Sequence, residues 1–517
     1  MGQKGPRLPG PVREVAVAQE QFDVVVVGGG NAALCAALAA QERGASVLVL
    51  ERAPEDESGG NSRFTAGAIR FCYNGVEDLK EVMPDLTESE IENTDFGTYT
   101  EDQFFDDMFR VTQYRTDPKL VELLVRRSFD TMKWMRGKGV RFVPIYGRQA
   151  FKIDGKFKFW GGLTVESVGG GPGLVEYLTD SCRKRGIEIR YSSRATSLIA
   201  DAKGVHGVTV KNGERMYEVG AGAVVLACGG FQANTEMRTR YMGPGWELAK
   251  VRGSRFNTGD GHQMALGIGA SSAGNWSGGH AVQWDRNAPE FGDLAVGDQF
   301  QKHSYPFGIL INATGERFVD EGADFRNYTY AKYGRVVLEQ PENFAWQVFD
   351  KKVEHLIRDE YRIKQVTKVI TNSIEDLAHQ LEGVNAERFL SYIKEYNAAV
   401  QQGVTFNPNV KDGRGTAGLK VNKTNWANTI DTAPFHGYQV TCGLTFTFGG
   451  LRITEDAQVV DVDMVPIRGL YAAGELVGGI FYFNYPGGSG LINGAVFGRI
   501  AGHAASAAAG KTATAAQ

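Results

Sequence analysis

The chain has 517 residues, too many for one hydrophobic core, so two or three domains are expected. Its 56 basic and 60 acidic residues give a net charge of −4, which points away from nucleic acid and anionic membranes, and no apolar run reaches the length of a membrane span. The five cysteines (Cys35, Cys72, Cys182, Cys228 and Cys442) form no Cys-x-x-Cys pair, which argues against a metal site, a disulfide framework or a dithiol centre and predicts a reducing, cytoplasmic setting.

Residues 1–20 carry prolines and charges without an apolar segment and read as a disordered leader. Asp23 to Val27 is a β-branched apolar run suited to a buried parallel strand. Gly28, Gly29 and Gly30 make a tight turn, Ala32 to Ala40 is a helix of small residues, and Ser46 to Leu50 is a second buried strand ending in Glu51. This is Gly-x-Gly-x-x-Ala with an acid about twenty residues on, the dinucleotide fingerprint. Its glycines admit a pyrophosphate, the helix start supplies N–H groups, and the carboxylate accepts from a ribose hydroxyl.

Further along, Gly59-Gly-Asn-Ser and Thr65-Ala-Gly-Ala are small and uncharged, as backbone packed against a flat ring would be. Thr87 to Gly139 reads as helical, Gly173 to Arg185 as a helix and Ile187 to Ser192 as a strand. Arg194 to Gly222 reads as a β-meander that delivers the chain to the buried strand and glycine turn Ala223 to Phe231. Asn257-Thr-Gly-Asp-Gly261 enters a helix that Asp260 is placed to cap. From about Gly274 the periodicity is poor, with helices only near Glu354–Arg362, Ile374–Leu381 and Asn385–Gln402. Leu470 to Glu475 resumes strand and glycine turn, so the intervening domain is inserted. The expected division is 21–275 and 445–509 for a two-part nucleotide domain, 276–444 for the insert and 510–517 for a low-complexity tail.

Four pieces together resemble one family, the flavoproteins of the fumarate reductase and succinate dehydrogenase type. They are Val27 to Ala33 with Glu51, Gly59 to Ser62, Asn257 to Gly261, and Gly469 to Glu475 with Gly487 to Gly490. Within the family, Gly59 to Arg63 and Phe483 to Gly490 look most like the tricarballylate dehydrogenase branch. The resemblance implies an α/β fold: a Rossmann-like FAD-binding domain with an inserted α+β capping domain, and substrate at their interface. It places Gly28, Gly30 and Ala33 at the pyrophosphate and Glu51 at the adenosine ribose. Gly60, Asn61, Ser62 and Gly67 follow the pyrophosphate and flavin, Ala195 meets the adenine, and Asp260 lies near the flavin ring. Glu475 takes the ribityl chain, Gly490 and Leu491 the pyrimidine end, and Asn31, Ala32, Arg52, Gly229 and Gly474 are implied as further cofactor-binding residues. Relatives that bind FAD covalently use a histidine near Gly59 to Ser62. This chain has none before His206, which implies non-covalent FAD.

The family's chemistry is hydride transfer between substrate carbon and flavin with a proton moved at the adjacent carbon. The resemblance places the proton carrier at Arg326, after Gly315 to Glu321, and a substrate-binding histidine at His280. Two family residues that grip a dicarboxylate, a histidine and an arginine, are here Phe446 and Tyr485. Straight fumarate reduction is therefore not expected, and substrate anion charge falls to Arg63, Arg326, Arg148 or His280. The first expectation is oxidation of a small polycarboxylate, as in tricarballylate to aconitate. The alternatives are a ketosteroid-type dehydrogenation or enone reduction with Tyr482 or Tyr485 as acid and base, and a non-catalytic flavin electron carrier. A single nucleotide fingerprint implies a separate electron acceptor: a protein, a quinone or oxygen.

Overall fold

A computed structural model of the chain describes residues 20–159 and 162–511. The expected leader therefore lies, up to residue 19, outside the described residues, as does the tail beyond Lys511. The central sheet is built as the first strand anticipates. Glu20–Val27, buried from Val24 onward, runs parallel to Val47–Leu50 on one side and to Arg215–Leu226 on the other. Glu188–Arg190 extends the parallel layer past Val47–Leu50, and Pro466–Ala472 extends it past Val224 to Leu226. The first half of Arg215–Leu226 instead pairs with Gly204–Asn212, which pairs in turn with Arg194–Asp201, giving the expected meander. One twelve-residue strand thus belongs to two sheet regions.

The helix Asn31–Gln41 packs against the long C-terminal helix Ser489–Ala508 as well as against the sheet. Gly494, Gly498 and Gly502 recur every fourth residue on the facing side, so they share one stripe. A Cβ at Gly498 would stand 2.4 Å from Ala32 O, and one at Gly502 would stand 2.2 Å from Ala36 O. Only glycine allows so close an approach. That contact sets the entry of both helices into the cleft above the sheet.

Three expectations about local structure change. Thr87 to Gly139 is three helices, Glu88–Glu92, Glu101–Val111 and Pro118–Gly137, separated first by the short strand Thr94–Asp95 and then by a turn at Gln113 and Tyr114. Thr100 with Gln103 and Asp117 with Pro118 restart the second and third of these with side-chain caps, which divides the run. Glu354 to Arg362 is two short 3-10 turns, Lys351–Leu356 and Asp359–Tyr361. Asp260 does not cap its helix: Gly259, at φ 82°, occupies the cap, and Asp260 is the first helical residue.

The aperiodic region holds the longest strands of the molecule, Ser272–Asp285 and Phe435–Leu451, paired antiparallel. Sixteen of the seventeen positions of Phe435–Leu451 are buried, so no alternation marks it as a strand. Its glycines serve aromatic neighbours, since a Cβ at Gly443 would meet Trp284 at 2.7 Å and one at Gly449 would meet Trp276 at 2.5 Å. Ala345–Phe349, Ile309–Ile311 and Lys368–Thr371 complete this second sheet. A separate hydrophobic core around Trp346, Phe389 and Tyr396 packs beneath it. The expected boundaries at 275/276 and 444/445 fall inside the two long strands, which form the stem joining this region to the nucleotide-binding part.

Candidate active site

One deep cleft runs from the glycine turn after the first strand to the second sheet, and most of the anticipated cofactor residues line it. Gly28, Gly30, Asn31, Ala32, Glu51, Arg52 and Ala195 form one end. Gly60, Asn61, Ser62, Gly229, Gly474, Glu475, Gly490 and Leu491 follow along the wall. Gly28 has φ +116°, and a Cβ there would stand 2.4 Å from Ala227 O, so the turn is pressed onto the neighbouring strand end. Gly30 caps the first helix with no side chain, leaving its opening N–H groups to face the cleft beside Ser62 Oγ, which accepts from Asn31 N–H at 3.1 Å. Asn31 Nδ2 donates to Leu491 O at 2.7 Å, and Asn61 Oδ1 accepts from Ser254 N–H at 2.8 Å.

Two acids test whether FAD fits. Glu51 is 6% exposed and accepts from Ala53 N–H at 2.7 Å; burial pushes its carboxyl above the usual range. Glu475 accepts from Thr447 N–H at 2.9 Å and Gln232 Nε2 at 3.3 Å, and burial pushes it up to about 7. Among the described residues neither has a cationic partner within 4 Å. Buried carboxylates on a cleft wall with spare acceptor capacity suit ribose and ribityl hydroxyls. The site fits FAD.

Five anticipated residues stand elsewhere than expected. Ala33 is fully buried behind the wall, and Gly67 packs on Gly170, where a Cβ would lie 2.6 Å away; neither lines the cleft. Asp260 sits at the Glu51 and Ala195 end rather than at the flavin-ring end, because Arg194 grips it with two bonds of 2.8 Å and Arg52 adds one of 3.0 Å. Arg63 is turned away from any substrate, its guanidinium donating to Asp56 O at 2.6 Å and Ser58 O at 3.3 Å. Tyr482 does not line the cleft: Phe483 adopts φ +61°, which breaks strand alternation and leaves Tyr485, not Tyr482, on the inner wall.

The far end of the cleft divides into an aromatic box and a cationic wall. In the box, the His280 ring stacks on Phe446 (centroids 5.1 Å apart, 12° between planes), with Tyr485 edge-on at 4.7 Å and Tyr330 at 5.0 Å. The Tyr330 and Tyr485 hydroxyls meet at 2.5 Å. Among the described residues neither His280 nitrogen has a hydrogen-bond partner, and burial followed by the Arg252 charge holds its pKa well below the usual histidine range. His280 is therefore a neutral ring in an apolar setting.

On the wall, Arg326 Nη1 lies 3.2 Å from His303 Nδ1 and Nη2 donates to Arg148 O at 3.0 Å. A guanidinium only donates, so His303 accepts on Nδ1 and carries its proton on Nε2. That matches a pKa pushed well down by burial and then by Arg326. Arg326 itself is shifted downward by burial. It does not pair with the acids beside it in sequence: Glu321 is held by Arg317 at 2.6 Å, and Asp320 accepts from Gly322 and Thr424 N–H. Arg148 lines the cleft but is neutralised by Asp298 through bonds of 2.7 and 3.0 Å.

Sequence reasoning missed Arg252, His303, Asp298 and Tyr330. Nothing in Val251 to Phe256 separates Arg252, buried at the site, from Arg255, which pairs with Glu57 on the surface. Tyr330 opens the helix Tyr330–Leu338, whose 3.6-residue apolar stripe was the available signal.

A family model described as FAD binding domain matches residues 23–492. The probable fumarate reductase Ifc3 of Shewanella frigidimarina (strain NCIMB 400) is 29% identical over 498 residues, covering 93% of this chain and 74% of the relative. The NADH:fumarate oxidoreductase of Klebsiella pneumoniae (strain 342) is 29% identical over 497 residues; the match takes in 94% of this chain and about half, 48%, of that protein. Among solved structures, the open conformation of a flavocytochrome c3 fumarate reductase superposes with a TM-score of 0.71 at 26% identity, over 96% of this chain and 79% of the other. No helix of the described residues is long and apolar enough to cross a membrane. The chain belongs to the FAD binding domain family and is a flavoprotein oxidoreductase of the fumarate reductase type.

Proposed function

We propose that this FAD-dependent oxidoreductase makes or reduces a carbon–carbon double bond next to one carboxylate or carbonyl, on a substrate with a flat, apolar body. When bound, FAD supplies the hydride acceptor or donor; the chain supplies the anion site, the proton and the exclusion of water. The observation that carries the reading is the pairing of aromatic box and cationic wall. Phe446 and Tyr485, with His280 and Tyr330, offer ring faces where a dicarboxylate would need charges. Arg148, Arg252, Arg326 and Arg358 are all at most intermediate in exposure, against the buried acids Asp298 and Glu360 and against Glu166, which burial pushes up to about 7. That leaves an excess of one to two positive charges beside the His303 Nε2 proton, enough for one anionic group. Arg326 is the proposed proton carrier, lying between His303 and the Tyr330 ring. Reoxidation is by a separate acceptor, a protein, a quinone or oxygen.

A tricarboxylate such as tricarballylate would bring three charges to this excess, so the cationic wall favours it less than a single acid. The Tyr330–Tyr485 hydroxyl pair favours a second reading, polarisation of a ketone as in ketosteroid-type dehydrogenation. The test is anaerobic titration of the oxidised and the dithionite-reduced holoenzyme with tricarballylate, succinate and fumarate, aryl-substituted propenoates and their saturated forms, and ketosteroids. A spectral change with the aryl acids is the expected result. Response to polycarboxylates alone overturns it.

A further inference from the structure

We infer that Asp107, on the helix Glu101–Val111, is a positioning residue that locks Arg326 into the cleft; this rests on the reading of Arg326 as proton carrier. Asp107 is more than two hundred positions before Arg326 and does not line the cleft. Its Oδ2 accepts from the hydroxyls of Tyr99 and Tyr328, each at 2.6 Å, and Oδ1 accepts from Arg110 Nη2 at 3.2 Å. Arg70 Nη1, wholly buried, lies 3.5 Å from Oδ2.

Three of these partners, Tyr328, Arg110 and Arg70, lead to the five residues Asp324 to Tyr328 that carry Arg326. Tyr328 is its C-terminal end. Arg110 reaches its N-terminal end, donating to Asp324 at 2.6 Å, and its guanidinium lies 4.6 Å over the Tyr328 ring. Arg70 works from below: its N–H donates to Gly488 O at 3.1 Å and its Nε to Gly487 O at 2.7 Å, while Gly487 N–H donates to Asn327 O at 2.9 Å. Asn484 Nδ2 adds a bond of 2.7 Å to Tyr328 O. The segment is thus pinned at both ends by groups that converge on one carboxylate.

Two hydroxyls and two guanidiniums, all donors, face Asp107, and only a carboxylate accepts from all of them. An asparagine in its place turns an NH2 toward those donors, leaving donor against donor in a site only 13% exposed at the side chain. Tyr328 and Arg110 then lose their fixed point, and Arg326 loses its register with His303. A displacement of about 1 Å at a proton carrier costs roughly 10²-fold in rate.

The experiment compares FAD-loaded wild type, Asp107→Asn, Tyr328→Phe, Arg326→Ala and the Asp107→Asn/Arg326→Ala double variant, using a substrate from the titration panel. The expected result is a loss of about 10²-fold in kcat for Asp107→Asn with KM and FAD content held within about twofold. Tyr328→Phe, which keeps the ring and removes one bond, loses about tenfold and serves if Asp107→Asn does not fold. The double variant is no slower than Arg326→Ala alone, because Asp107 acts only through Arg326. Wild-type kcat in both Asp107→Asn and Tyr328→Phe, or losses that multiply in the double variant, overturns the inference. Full turnover by Arg326→Ala removes the proton-carrier reading itself, and this inference with it.

Discussion

Glu475 offers a direct measurement of how the chain holds its cofactor. Its carboxyl is raised from the ordinary 4.5 to about 7, with burial as the first cause, opposed by bonds from Thr447, Gly230 and Gln232. The sign follows from linkage: a folded value above the unfolded one stabilises the protonated deflavo-protein. That stabilisation is full below about 4.5 and is lost as pH rises through about 7. A ribityl hydroxyl donating to Glu475 favours the charged form, so FAD binding lowers the pKa and affinity rises with pH. The ionised fraction before binding is roughly 3% at pH 5.5 and roughly 90% at pH 8, so a complex that holds the carboxylate ionised throughout tightens Kd by up to about 30-fold across that interval. Glu475→Gln keeps the shape and one acceptor and removes the titration, so its Kd stays flat over the same range apart from any contribution of Glu51. The assay is fluorescence quenching of FAD titrated with deflavo-protein at several pH values. Parallel curves for wild type and Glu475→Gln refute the reasoning, whatever the absolute affinity.

The remaining predictions concern packing and attachment. Gly498→Val drives a side chain into Ala32 O and forces the first and last helices apart, at a cost of about 1–3 kcal/mol, read as a lower Tm together with faster FAD loss. Gly137→Ala, where a Cβ meets nothing within 4 Å, is the control and leaves Tm level or slightly raised. Acid precipitation releases all flavin to the supernatant; flavin retained on the pellet contradicts non-covalent binding.

The difference between what was and was not legible in the sequence follows from how each part of the molecule is made. The fingerprint was readable because its parts are local: Val24 to Leu50 is strand, turn, helix and strand in unbroken order, and each step needs a residue type that little else needs. The meander was readable for the same reason, its turns marked by Asp201 to Gly204 and Lys211 to Gly213. The long strand Phe435–Leu451 of the second sheet was not, because burial on both faces erases the period that identifies a strand. At the substrate end the information is not local at all. Arg148, Arg252, His280, His303, Arg326, Tyr330, Phe446 and Tyr485 come from seven separate segments, and Arg252, His303 and Tyr330 read along the chain as ordinary surface or core residues.

The aromatic replacements at Phe446 and Tyr485 were visible in sequence, yet their meaning depends on the charges around them, and those cannot be counted along a chain. Arg148 reads as one of the candidate anion binders and proves to be at the cleft, but paired there with Asp298. Arg63 reads as another candidate and is tied to backbone carbonyls of its own loop. Arg252 gives no signal and stands 3.9 Å from the same Asp298 that Arg148 uses. One buried acid shared by two guanidiniums leaves a fractional claim on each, and this sets how many anionic groups the pocket can accept. On the proposed reading, the number of carboxylates the substrate carries is therefore decided by Asp298 as much as by any arginine.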